Sequence, residues 1–273
     1  MYMTRIVFLN GDYVPADQAR ISIFDRAVNF GDAIYEVAGV LDGKLVDFEH
    51  HMQRYFNSLR KLGMESPLSQ DEILAAFREL VTRNAIDEGL VYMQVTRGTA
   101  ERDFVWPEGI EPNVFMFTQV KTSAENEAAR TGVTLASTED IRWARRDIKT
   151  VNLLGQVLAK KAAYDAGAQE ALMVDRDGFV TECGSTSFVI VRDGEILSRE
   201  LNNDILPGVT RRAVLALCAQ TPVALRETRF TLEDAKGADE AFISAASSYI
   251  LPVVAIDGQP VGDGKPGLSL IHI

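Results

Sequence analysis

Lys149 stands between Ile148 and Thr150-Val151, just ahead of a run whose apolar residues fall at helical spacing. From Asn152 to Asp165, the positions Leu154, Val157, Leu158 and Ala162 predict a helix with one buried face, ended by Gly167. An amine among apolar neighbours loses hydration of its charged form and becomes a candidate nucleophile, able to form a Schiff base with a carbonyl. A surface lysine near a helix start has the same local sequence, so support must come from elsewhere.

Four other stretches supply it. Glu182 ends a predicted strand and leads into the small polar run Cys183-Gly184-Ser185-Thr186-Ser187, where a carboxylate could face a cationic ring nitrogen. Leu206-Pro207-Gly208-Val209-Thr210 opens a predicted helix, whose first amides lack partners within the helix and suit a phosphate. Ser244-Ala245-Ala246-Ser247-Ser248 is a second small-residue loop, following a predicted strand, that could close over the same group. Arg54, in a predicted helix over Glu49–Leu62, is a candidate phosphate ligand. Taken singly, these also read as a surface acid, an ordinary helix start, a turn and a solvated arginine. Taken with Lys149, they supply an amine, a pyridinium partner and a phosphate cradle, which is what pyridoxal 5'-phosphate requires.

The elements that must position these residues are strands in hairpins with helices between them. Ile6–Leu9 turns at Asn10-Gly11 into Tyr13-Val14, and Ala33–Val40 returns through Lys44–Phe48. Ser69 with Glu72 forms a capping box for a helix to about Asn84, and Leu90–Thr96 and Val114–Val120 read as strands. The polar, aperiodic stretch 121–131 reads as a linker between residues 1–120 and 132–273. Beyond it come a strand at Val133–Ser137, hairpins at Asp177-Gly178, Asp193-Gly194 and Asp257-Gly258, and helices over Val209–Gln220 and Leu232–Ala238. The fold class is α+β in two domains with antiparallel-rich sheets, not a doubly wound parallel sheet.

Composition excludes several function classes. Of the 273 residues, 47% are hydrophobic and 25% charged, enough apolar material for a large core and too much for wholesale disorder. A net charge of −11 argues against non-specific binding to nucleic acid or to an anionic membrane. No stretch approaches the roughly 18 apolar residues of a membrane span. No secretory signal is evident, and Cys183 and Cys218 suit a reducing compartment, so the expectation is a soluble, cytoplasmic protein. The three histidines make no metal-ligand set.

At this point the sequence resembles a known family, the fold-type IV pyridoxal-phosphate transaminases, and within it the D-amino acid transaminases. The resemblance runs from about Val7 to about Gly264. It is carried by Phe30-Gly31-Asp32-Ala33-Ile34-Tyr35-Glu36, Gln94-Val95-Thr96-Arg97-Gly98-Thr99 and Asp140-Ile141-Arg142-Trp143. Asp147 to Gly155 and Ile205 to Arg211 complete it. It implies that Lys149 carries the cofactor as a Schiff base and shuttles the proton, and that Glu182 keeps the pyridine nitrogen protonated. Arg54, with the amides of Val209 and Thr210, then binds the phosphate. Arg142 falls near the phenolic oxygen, and Leu206 packs on the ring face. Ala246 stands where a threonine is common, leaving Ser247 or backbone amides to serve the phosphate.

For substrate, the resemblance implies a carboxylate held by Tyr35 and Arg102, with Phe104 where well-studied members carry a histidine. That change removes a donor and makes the pocket more apolar. The implied reaction moves the amino group of a D-amino acid to 2-oxoglutarate or pyruvate in a ping-pong cycle. It also implies a homodimer in which the Arg102 loop crosses to the partner subunit. An (R)-selective amine transaminase and a branched-chain L-amino acid transaminase stay open as alternatives, Phe104 favouring the first. A lyase of the same fold and a cofactor-free binding protein fit less well, the latter because Lys149, Glu182 and Arg54 are all present. Members also continue into a final helix, whereas Leu268–Ile273 does not read as its start, so the expectation is that this helix is missing.

Overall fold

A computed structural model describes residues 5–122, 126–218, 220 and 224–267. The chain divides into two units, Met1–Ser123 with Ile148–Asn152, and Ala124–Asp147 with Leu153–Ile273.

The first unit begins with the predicted hairpin, β1 (Ile6–Leu9) and β2 (Asp12–Pro15). Then follow α1 (Arg26–Phe30), β3 (Ala33–Leu41), β4 (Lys44–Leu45), α2 (Phe48–Leu62), α3 (Gln70–Arg83), β5 (Gly89–Thr96) and β6 (Asn113–Val120). The strands form one antiparallel sheet in the order β2-β1-β6-β5-β3-β4. Side chains alternate across it. Ile34, Ala38, Val91, Met93, Val95 and Met116 are buried together with Met52, Tyr55 and Leu59 of α2 and Ile73, Phe77 and Leu80 of α3. Burial of each Val, Leu, Ile, Phe or Met side chain among them contributes about 1.5–3 kcal/mol. The capping box at the start of α3 forms as predicted, Ser69 accepting from the Glu72 amide and Glu72 from the Ser69 amide. The short helix α1 is an element the sequence pattern does not predict. Five residues are too few for a periodicity, and its ends are set by Asp25, which accepts from the Ala27 amide, and by the left-handed Gly31 at φ 66°.

The lysine segment belongs to this unit rather than to residues 132–273, where chain order placed it. It pairs with the start of β3, at the edge away from β5: Tyr35 N–H donates to Lys149 O (2.9 Å), Val151 N–H donates to Ala33 O (3.2 Å), and Ile34 stands opposite Thr150. Ile148 is buried in the same core.

The second unit holds α4 (Glu127–Thr131), β7 (Val133–Glu139), α5 (Leu154–Asp165), β8 (Glu170–Val174), β9 (Val180–Cys183), β10 (Ser187–Arg192), β11 (Glu195–Ser198), α6 (Val209–Cys218), β12 (Ala224–Glu227), α7 (Leu232–Lys236), β13 (Glu240–Ala245), β14 (Tyr249–Ile256) and β15 (Gln259–Pro260). Its sheet runs β12-β11-β10-β13-β14-β7-β8-β9, with β15 on β14. The sheet is mixed, since β7 runs parallel to both β8 and β14 and β11 parallel to β12. Within the expected linker, α4 forms because Asn126 accepts from the Ala128 amide and satisfies its first turn. The residues Leu268–Ile273 lie outside the described residues.

A second expectation is overturned. The face of α5 predicted to be buried is exposed: Leu154 by 70%, Val157 by 58% and Leu158 by 50%. The buried residues are instead Ala159 and Ala163, packed with Ala136, Ala171 and Met173. Alanine lets the helix lie close on the sheet, and that close approach decides which face is buried even though the larger residues lie elsewhere.

Phe77→Ala should lower the free energy of unfolding by about 3–5 kcal/mol, and Ser69→Ala by about 1 kcal/mol. Urea denaturation of both variants checks the pair.

Candidate active site

The strand-like pairing of 148–152 places side chains alternately. Ile148 enters the core, and Lys149 points to the other side, its Nζ 4.0 Å from the centroid of the Tyr35 ring. Tyr35 stacks on Tyr92 (5.5 Å) and Tyr92 on Phe117 (4.6 Å), so the amine sits at the end of an aromatic row. The Lys149 amide donates to Ser58 Oγ of α2 at 3.4 Å. No carboxylate pairs with Lys149 among the described residues. Asn152 fastens the segment from its other end by donating to the Gly31 carbonyl (3.3 Å), and a Cβ at Gly31 would run into the Asn152 side chain.

Arg54 is oriented by an acid that sequence reasoning missed. Its Nε and Nη2 donate to the two oxygens of Glu36, each at 2.8 Å, and His51 Nδ1 lies 2.9 Å from the same carboxylate. Burial of Glu36 would push its carboxyl up, but the Arg54 guanidinium and His51 outweigh it and hold the carboxyl down at about 2. The signal was available. Glu36 sits at a core-facing position of an apolar strand, where an acid requires a partner.

Arg102 and Phe104 lie in the loop between β5 and β6. Gly98 opens that loop at φ +121°, and a Cβ there would run into the Glu111 carbonyl. The Arg102 guanidinium lies 5.3 Å from the Phe30 ring and 5.8 Å from that of Phe104, which is 77% exposed.

In the second unit, Glu182, Arg142 and Leu206 come together. Arg142 Nη1 donates to Glu182 Oε1, which also accepts from the Leu206 amide at 3.2 Å. Arg142 in turn is gripped by Asp140, Nε to Oδ1 at 2.9 Å and Nη2 to Oδ2 at 2.7 Å, and Thr181 Oγ1 donates to Oδ2 at 2.7 Å. Burial pushes the Glu182 carboxyl up, with Arg142 and the Leu206 amide opposing it. Burial also works against the charge on Arg142, but Glu182 and Asp140 outweigh it and raise its pKa. Arg142, expected near a phenolic oxygen, is thus held on the acid itself.

The amides of Val209 and Thr210 open α6 and have no acceptor within it. Gly208 precedes them in close contact with β10: a Cβ there would meet Ser187 Oγ at 2.5 Å. Ser187 pairs with Ser244 of β13, whose buried Oγ has no hydrogen-bond partner among the described residues. Ser247 lies in the turn that Ala245 and Tyr249 close. Helix-end amides, a glycine that leaves room and an unpartnered buried hydroxyl fit a phosphate.

Residues 33–256 match the family described as amino-transferase class IV. The chain belongs to the class IV aminotransferases. It is similar to the D-alanine aminotransferase of Staphylococcus aureus (strain COL), 38% identical over 262 residues that cover 96% of this chain and 92% of that protein. The D-alanine aminotransferase of Listeria monocytogenes serotype 4b (strain F2365) is also 38% identical, over 96% of this chain and 91% of its own. Among solved structures, a T.th. branched-chain amino acid aminotransferase with pyridoxamine 5'-phosphate superposes with a TM-score of 0.91 at 26% identity, covering all of this chain and 92% of that one. The fold is that of these fold-type IV enzymes.

Glu36 supplies a pH test. Its folded value of about 2 lies below the ordinary 4.5, so its contribution is complete above pH 4.5 and is lost as pH falls toward 2. Glu36→Gln should therefore lower stability by about 3 kcal/mol at neutral pH, and the gap to the unaltered protein should narrow across that acid window when unfolding is followed at several pH values.

Proposed function

We propose that this class IV aminotransferase uses pyridoxal 5'-phosphate to move the amino group of a D-amino acid to a 2-oxo acid, 2-oxoglutarate or pyruvate. The observation that carries the reading is the Lys149 amine over Tyr35, in a chain 38% identical to D-alanine aminotransferases over nearly its whole length. When bound, the cofactor supplies the carbonyl that takes up the amino group and the ring that accepts the electron pair released as the substrate Cα loses its proton.

The residues of the chain do the rest. Lys149 would hold the cofactor and is the amine that would take the proton from the substrate Cα and return it. Glu182 would be the acid that keeps the ring nitrogen protonated, and Arg142, clamped by Asp140, holds Glu182 in place. Arg54, the Val209 and Thr210 amides and Ser247 are the groups that would hold the phosphate, and Leu206 the apolar side chain that would pack on the ring. Arg102 takes the substrate carboxylate through its planar fork, with the Tyr35 hydroxyl as a third donor. Phe104 adds an apolar wall beside them. A homodimer with the Arg102 loop contributed across the interface is supported by two exposed apolar surfaces. One is Ile23, Phe24, Val28, Phe104 and Val105, and the other is the α5 row Leu154, Val157 and Leu158. The buried thiols of Cys183 and Cys218, not joined in a disulfide, fit a cytoplasmic enzyme, and no described helix is long and apolar enough to cross a membrane.

A substrate panel tests the reading. D-Alanine and D-glutamate should be converted and L-leucine should not. Turnover of (R)-1-phenylethylamine above that of D-alanine would move the enzyme to the amine transaminases. Lys149→Ala should lower kcat by about 10²–10⁴-fold. Arg102→Ala should raise the KM for D-alanine by about 10- to 100-fold and leave that for an amine without a carboxylate unchanged.

A further inference from the structure

The loop that carries Arg102 is gripped by a side chain from outside it. Arg26 of α1 is 4% exposed, and its guanidinium spends two of its three nitrogens on the loop backbone. Nη1 donates to the Asp103 carbonyl at 2.6 Å and Nη2 to the Phe104 carbonyl at 3.2 Å, the two residues directly after Arg102. The third nitrogen, Nε, donates to Asp32 Oδ2 at 2.9 Å. That oxygen also accepts from Arg97 Nε at 2.7 Å. The rings of Phe30 (4.6 Å) and Trp106 (5.9 Å) flank the Arg26 guanidinium, and Trp106 also lies over Arg97 at 3.9 Å. The backbone adds to this anchor, Arg26 N–H donating to Gly98 O at 2.9 Å.

We propose that Arg26 is a positioning residue for substrate binding: by holding the carbonyls of Asp103 and Phe104 it fixes where the Arg102 guanidinium stands. The inference rests on the reading of Arg102 as the carboxylate ligand. Only a rigid planar fork serves two adjacent carbonyls and an acid at once; a lysine reaches them singly. Arg26 itself never touches the substrate. Its effect appears in the affinity for a carboxylate-bearing substrate and leaves the chemical step alone.

The test is a double-mutant cycle on the holoenzyme with D-alanine, using Arg26→Gln, Arg102→Ala and the pair, with Arg26→Lys as the conservative variant. Arg26→Gln should raise KM by about tenfold with kcat within about twofold, Arg26→Lys should fall between, and Arg26→Gln should add less than about twofold when Arg102 is already alanine. Since the chain has two tryptophans, Trp143→Phe leaves Trp106 as sole reporter. In that background Arg26→Gln should red-shift its emission as the ring loses its packing. Should Arg26→Gln not fold, Arg26→Lys alone carries the cycle, with a KM rise that vanishes beside Arg102→Ala. The proposal is overturned by a full KM effect in the Arg102→Ala background, by an equal loss on an amine without a carboxylate, or by an unchanged KM where Arg102→Ala raises it. If Arg102→Ala leaves KM unchanged, the carboxylate reading itself fails and the positioning role falls with it, an outcome read from that single variant.

Discussion

Backbone pairing between Ile148–Asn152 and the start of β3 is the constraint on which the proposed chemistry depends. Because side chains alternate along an extended segment, a slip of one residue would bury the amine and expose Ile148. Pairing at Tyr35 and Ala33 excludes that slip, and it brings Lys149 beside Tyr35 without any side-chain bond between them. The amine is therefore placed by register and stays available, whereas an ion pair would have occupied it.

The same strand sets the opposite requirement one residue on. Glu36 faces the helices, and a lone carboxylate there would be strongly destabilising, so Arg54 and His51 of α2 must meet it. Burial in both units follows one pattern. Asp140 grips Arg142, which holds Glu182; Asp32 is shared by Arg26 and Arg97. In each case an acid fixes the direction of a guanidinium, and the guanidinium is then aimed at something else.

Much of the fold was legible. Hairpin turns at Asn10-Gly11, Asp193-Gly194 and Asp257-Gly258, the Ser69 capping box and most strand limits follow from local chemistry that the tertiary structure does not override. What escaped was set by distant partners. The grouping of 148–152 with β3 depends on an edge far back in the chain, and α5 buries Ala159 and Ala163 because alanine permits a close approach that a count of large apolar residues does not register. The helix α1 is too short to show a period. Among candidate site residues, Lys149, Glu182, Arg54 and Arg102 stood out by type and motif, whereas Glu36 and Asp140 lay inside motifs with no role assigned and Arg26 was not singled out.

Those three share a feature that explains the omission. Each is a charge with almost no exposure. A motif search asks which residues could react, and none of the three reacts. Asking instead which charges must be buried points to them directly: Glu36 at a core-facing strand position, Asp140 two residues before Arg142, and Arg26 beside the Asp25 cap. Buried charge is tolerated only with partners in place, so the groups that aim the reactive residues are legible as the charges that have nowhere to go.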